Sequence, residues 1–153
     1  MLTDQMKALI RNFSVGAVAT INPDGSPSVS PKATFSILDD NTLIFGNIRS
    51  PGTVKNLRSN PAIEICFTDV VTRQAVRVTG KAETIPVASA PDNYREKFES
   101  EWRGAAPHVS AYIKVDIAAT EYILSPGYDR GRTEADIKEE FLGKINALYG
   151  GDA

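Results

Sequence analysis

Residues Ser14–Leu38 read SVGAVATINPDGSPSVSPKATFSIL, and the punctuation of this stretch decides the fold class. Ser14–Ile21 is small and β-branched with no helical period, the composition of a strand. Asn22–Pro27 is a turn signal, because Asp24-Gly25 supplies the positive φ that a tight hairpin needs. A second strand resumes over Ser28–Leu38. Pro31 within it lacks a backbone donor, so that position must lie on an edge, at a bulge or on a side facing a ligand.

Outward from this hairpin the same grammar repeats. Asp39–Asn41 is a second turn, Thr42–Asn47 a third strand, and Ala62–Asp69 and Gln74–Ile85 a fourth and fifth. In the fifth, Val76, Val78 and Gly80 alternate with Arg77, Thr79 and Lys81, the pattern of a half-buried strand. Val109–Leu124 reads as a long sixth strand with a bend near Ala118–Thr120. Helices are predicted in three further places. Near the N-terminus Leu2, Met6, Leu9, Ile10 and Phe13 recur at helical spacing behind Thr3 or Asp4 as N-cap. Ala88–Trp102 carries Tyr94, Phe98 and Trp102 on one face. A final amphipathic helix, at about 133–149, is capped by Thr133. Six strands with hairpin links and no βαβ alternation point to a mainly β fold, an antiparallel barrel with helices at its ends and rim.

Length and composition set the bounds. A chain of 153 residues is the size of one domain and can bury a core without disulfide or metal. Its single cysteine, Cys66, lies in the apolar run AIEICF and is expected to be a buried structural thiol. One cysteine and one histidine, His108, cannot assemble an ordinary zinc site. His108 follows Pro107 in a break and reads as a surface loop residue. The net charge is −2, and the cations are dispersed outside one segment, so a nucleic-acid footprint is not indicated. Charges interrupt the N-terminal helix too early for a signal peptide, and no apolar run approaches membrane-spanning length. The expectation is a soluble, cytoplasmic protein.

The exceptional segment is Asn47–Pro61, NIRSPGTVKNLRSNP. Ser50 can cap a short helix with Pro51 at its first position, and Val54 and Leu57 would form its buried face. Helix-start N–H groups, the Ser50 and Thr53 hydroxyls and the Arg49 and Lys55 cations together suit a phosphate monoester. Solvated cations and an ordinary Ser-Pro cap are the plainer account of the same residues.

Three ordered segments tip that balance. VATINPDGSPSVSPKATF, LIFGNIRSPGTVKNLRSNP and RQAVRVTGKAE, all between Ser14 and Ile85, resemble the pyridoxamine 5′-phosphate oxidase-related family of flavin mononucleotide (FMN) binding split barrels. The resemblance implies a six-stranded antiparallel split β-barrel of Greek-key type in one FMN-binding domain. It implies contacts to the flavin from the second strand, here Ser30, Pro31, Lys32, Ala33 and Thr34. It implies a ribityl-phosphate site on the third strand and following helix, here Asn47, Ile48, Arg49, Ser50, Thr53 and Lys55. The Gln of the Arg-Gln pair, here Gln74, is expected to reach the flavin from a neighbouring subunit, which makes the protein a homodimer with FMN at its interface.

A small FMN-dependent oxidoreductase of unassigned substrate is therefore expected. A non-catalytic flavin-binding or sensing module is the alternative, as is a relative using a deazaflavin or haem. Many members carry Lys where this chain has Thr53, so one phosphate charge contact is missing unless Lys55 or Lys32 replaces it; without a replacement, weaker FMN binding or a different cofactor is the expectation. The Arg-x-His element that grips substrate in the true oxidases has no match here, so oxidation of pyridoxamine 5′-phosphate itself is not expected. The Tyr128–Arg132 stretch, YDRGR, reads as a solvated connection or a mobile lid.

Overall fold

The computed structural model describes residues 1–150. In chain order its elements are α1 (Asp4–Asn12), β1 (Gly16–Ile21), β2 (Pro27–Lys32), β3 (Phe35–Asp39), β4 (Thr42–Asn47), α2 (Pro51–Ser59), β5 (Ala62–Asp69), β6 (Gln74–Pro86), α3 (Asp92–Glu101), β7 (Ala111–Leu124) and α4 (Glu134–Leu148). Short 3₁₀ turns follow β6, α3 and β7. None of the described helices is long and apolar enough to cross a membrane.

All seven strands join one antiparallel sheet in the order β2-β1-β5-β6-β7-β4-β3. The count is seven because Ser28–Leu38 is not one strand. It breaks at Ala33-Thr34, where Thr34 adopts φ 59°, a left-handed conformation uncommon for a β-branched residue. β2 and β3 are thus consecutive in the chain yet form the two edges of the sheet. The sheet curls without closing its ladder, which is the split of a split barrel. Pro31 sits on edge strand β2 opposite Ala17, where a missing donor costs no ladder bond.

The ladder end beside the break is closed by a side chain. Phe35 pairs with Phe45, and one step on, Gly46 N donates to Thr34 Oγ1 at 3.3 Å. Alternation sends Val18, Leu43, Phe45, Ile63, Ile65, Phe67, Val76, Val78, Ile113 and Val115 inward. Phe35 packs on Phe45 and Phe67 with ring centroids 5.0 and 4.7 Å away, each pair adding about 0.5–1.5 kcal/mol beyond the area it buries. α1 covers this core with Leu2, Met6, Leu9 and Ile10; Thr3 is its cap, its Oγ1 accepting from Met6 N at 3.2 Å.

α3 lies on the opposite face of β4 and β7, where Phe98, Ile44 and Tyr112 form a second cluster with Tyr94 and Trp102. Trp102 Nε1 donates to Phe35 O at 2.9 Å, fixing the helix to β3. The helix begins at Asp92 rather than Ala88, because proline at 91 disfavours helical backbone in the residue before it. The bend foreseen in the sixth strand is a bulge in β7. Thr79 pairs with Ala119 and Gly80 with Ile117, leaving Ala118 over. Gly80 is needed there, since a Cβ would stand 2.2 Å from Asp116 O.

Cys66 departs from expectation. β5 alternates, with Ile63, Ile65 and Phe67 inward, so Cys66 falls on the outer face, half-buried and opposite Arg77. His108 is exposed, as a loop residue should be.

Candidate functional site

The cationic segment lands beside edge strand β2. α2 is held against the first hairpin by buried Asn56, whose Nδ2 donates to Thr20 Oγ1 at 3.1 Å and to Asn22 Oδ1 at 3.0 Å. Leu57 adds the apolar contact, with Val54 partly buried beside it. This pins the start of α2 next to the end of β2.

Ser50 is the N-cap by position and does not cap with its side chain. Its buried hydroxyl instead accepts from Lys32 Nζ at 2.6 Å. Pro51 has no N–H, and Val54 N donates to Ser50 O. The Gly52 and Thr53 N–H groups are left without a partner among the described residues, on the positive end of the helix. Gly52 is exposed, and a Cβ added to it would meet nothing within 4 Å. Burial holds the Lys32 ammonium below the usual lysine range.

Charge around this point is one-sided. No Asp or Glu occurs between Asn41 and Ile63, while Arg49, Lys55 and Arg58 are exposed and join none of the ion pairs among the described residues. Asn47 Nδ2 donates to Ser110 Oγ at 3.4 Å, and its buried Oδ1 has no partner. Thr53 is buried on the first turn of α2. Ile48 is exposed beside Arg49. On β2, Ser30 is half-buried, while Pro31 and the adjoining Ala33 are exposed.

Gln74 stands apart from this cluster. Lys32 pairs with Gly16, Gly16 with Phe67 and Phe67 with Val76, so Gln74 lies near the same sheet end but three strands round, on the order of 15 Å measured along the sheet at ordinary strand spacing. From Asn47, Gln74 is further still: Asn47 pairs with Ala111, which faces Pro86 at the other end of β6. One chain brings Lys32, Ser50 and the start of α2 together and leaves Gln74 elsewhere.

The family model for pyridoxamine 5′-phosphate oxidase matches residues 2–123, most of the chain. The chain belongs to this family. No curated protein matches it by sequence. Among solved structures, it is similar to HupZ of Group A Streptococcus, with 28% identity and a TM-score of 0.71 over 82% of this chain and 96% of that one. An F420 reductase is 22% identical with a TM-score of 0.61, covering 78% and 98% of the two chains. General stress protein 26 of Bacillus anthracis is 16% identical with a TM-score of 0.63, covering 78% and 92%. These last two are likenesses of fold.

Beyond the residues that suggested the family, the structure adds Tyr122 and Tyr128. Gln74 Nε2 donates to Tyr128 Oη at 3.0 Å, Gln74 Oε1 accepts from Tyr122 Oη at 2.5 Å, and Tyr128 Oη donates to Thr72 O at 2.6 Å. The YDRGR stretch is thus anchored rather than a free connection. Arg73 lies over the Phe141 ring at 3.8 Å and ties α4 to the same turn. Tyr122 could have been found from register alone: it faces Val76, diagonal to Gln74 on one face of the hairpin. Tyr128 lies beyond the strand, where no periodicity reports its direction.

Proposed function

We propose that this family member binds FMN, with the phosphate at the seam between β2 and α2, and works as a small FMN-dependent oxidoreductase. The observation that carries the reading is the Lys32–Ser50 contact. It places an ammonium beside two unpaired helix-start N–H groups, in a segment without carboxylates. A phosphate dianion fits this donor set: every group facing it is a cation, a hydroxyl or an N–H. Lys32 takes the place of the lysine that many relatives carry at the Thr53 position.

In this reading Lys32, Arg49, the Ser50 and Thr53 hydroxyls and the Gly52 and Thr53 N–H groups hold the phosphate, with Lys55 at the rim. Ser30, Pro31, Ala33, Thr34, Asn47 and Ile48 line the ribityl and ring side. Gln74 of a second copy completes the ring edge. Its separation from Lys32 within one chain supports a site shared across a homodimer. When bound, FMN supplies hydride and single-electron chemistry. The chain's residues bind, orient and exclude water.

Stopped-flow mixing of the flavin-loaded protein with NADH and NADPH tests the enzyme reading. Bleaching of the flavin band by one of them, reversed by an added acceptor, is expected. A bound flavin inert to both nicotinamides would leave a binding or sensing module in its place.

A further inference from the structure

We infer that Tyr122 and Tyr128 are positioning residues that fix which end of the Gln74 amide faces a bound flavin. The inference rests on the reading above, in which Gln74 meets the flavin.

The argument follows the hydrogens. Tyr128 spends its single O–H on Thr72 O at 2.6 Å, so toward Gln74 it can only accept. That forces the Gln74 nitrogen to face it, at 3.0 Å. The Gln74 oxygen then faces Tyr122, which donates at 2.5 Å. Flipping the amide would set its oxygen against Tyr128 Oη, an acceptor against an acceptor. Which way an amide points is often open; here the carbonyl of Thr72 settles it through one phenol.

Both ends of the chain of bonds are fixed. Thr72 is buried in a turn held by Asp69, whose carboxylate accepts from Val71 N, Thr72 N and Thr72 Oγ1. Tyr122 packs on the main core. Its phenol stays protonated well above neutral pH, because burial and the nearby Glu134 and Asp69 carboxylates raise its titration.

What remains unspent defines the ligand chemistry. With one bond made at each end, the buried Gln74 amide keeps one N–H and one oxygen lone pair for the acceptor and donor groups of a bound ring. The C-terminal part of the chain would thereby set the recognition polarity of a residue on β6.

A double-mutant cycle on the full-length protein tests this, read by fluorescence titration with FMN and with riboflavin. Gln74→Ala and Tyr128→Phe are each expected to weaken both flavins alike, by about fivefold for a lost neutral hydrogen bond. Tyr128→Phe in the Gln74→Ala background should add nothing further. Additive losses would overturn the inference while leaving Gln74 as a flavin contact. Wild-type affinity in Gln74→Ala would overturn the underlying reading and the inference with it. The flavin-free protein gives a separate readout: the Gln74 side-chain amide hydrogens should exchange slowly in wild type and faster in Tyr128→Phe, and equal exchange would contradict the clamp. If Tyr128→Phe does not fold, Tyr122→Phe serves in the same cycle, since it removes the hydroxyl that donates to Oε1.

Discussion

Lys32 on β2 and Ser50 at the mouth of α2 meet at 2.6 Å, joining an edge strand of the sheet to the start of a helix. The contact turns a serine that would ordinarily cap its own helix into the support of a cation. It also couples the sheet edge to the helix start, so the two halves of the proposed phosphate site are set by one bond.

Replacing Lys32 by Met should therefore weaken FMN by about 1.5–3 kcal/mol, the value of a charge-assisted bond, and riboflavin hardly at all. Folding stability should fall only modestly, because the ammonium is partly desolvated and has no carboxylate partner among the described residues, while the buried Ser50 hydroxyl loses its donor. Titration calorimetry with both flavins and a thermal melt check the two halves of this statement. A large fall in melting temperature with unchanged FMN affinity would reassign Lys32 to structure.

The pH dependence of FMN affinity has a definite sign. Burial depresses the Lys32 titration in the free protein, and a bound phosphate would raise it. Binding then takes up protons between the two values. Affinity is full below the free-state value and falls as pH rises through it, starting below the ordinary lysine range of about 10.4. Riboflavin, without the phosphate, should show no such fall. Affinity measured from neutral to alkaline pH for both ligands provides the check.

Gly80 should resist substitution. With backbone at 2.2 Å from an added Cβ, the β6–β7 ladder must shift at its bulge. Gly80→Ala is expected to cost about 2–4 kcal/mol by overpacking against backbone that cannot rotate away. Urea unfolding monitored by circular dichroism measures it. Wild-type stability would mean that the bulge relaxes freely.

Much of this architecture was written in local pattern. The hairpins follow from Asp24-Gly25 and Asp39–Asn41, and the inward face of β6 from the alternation of Val76 and Val78. The break at Ala33-Thr34 was not legible, because threonine favours strand and nothing in the local sequence marks its left-handed φ. Cys66 was misread for a related reason: an apolar run reports a strand, and only pairing shows which residues face outward. At the site, the Arg49–Lys55 cluster was plain in composition. The Lys32–Ser50 contact spans 18 residues and depends on how α2 is carried back to the end of β2.

Light scattering tests the shared site. At micromolar concentration the particle mass should be about twice the 16.6 kDa of one chain. A monomer that binds FMN tightly would refute the contribution of Gln74 from a second copy.

The most direct test of the central claim is a paired titration of the flavin-free wild-type protein with FMN and with riboflavin at neutral pH and low salt. The two ligands share the ring and ribityl chain and differ by the phosphate alone. The account predicts that FMN binds more tightly by at least an order of magnitude, as roughly 1.5–3 kcal/mol from a single charge-assisted phosphate bond requires, and that added salt narrows the gap. Equal affinity for the two, or binding of neither, would contradict a phosphate site at the start of α2.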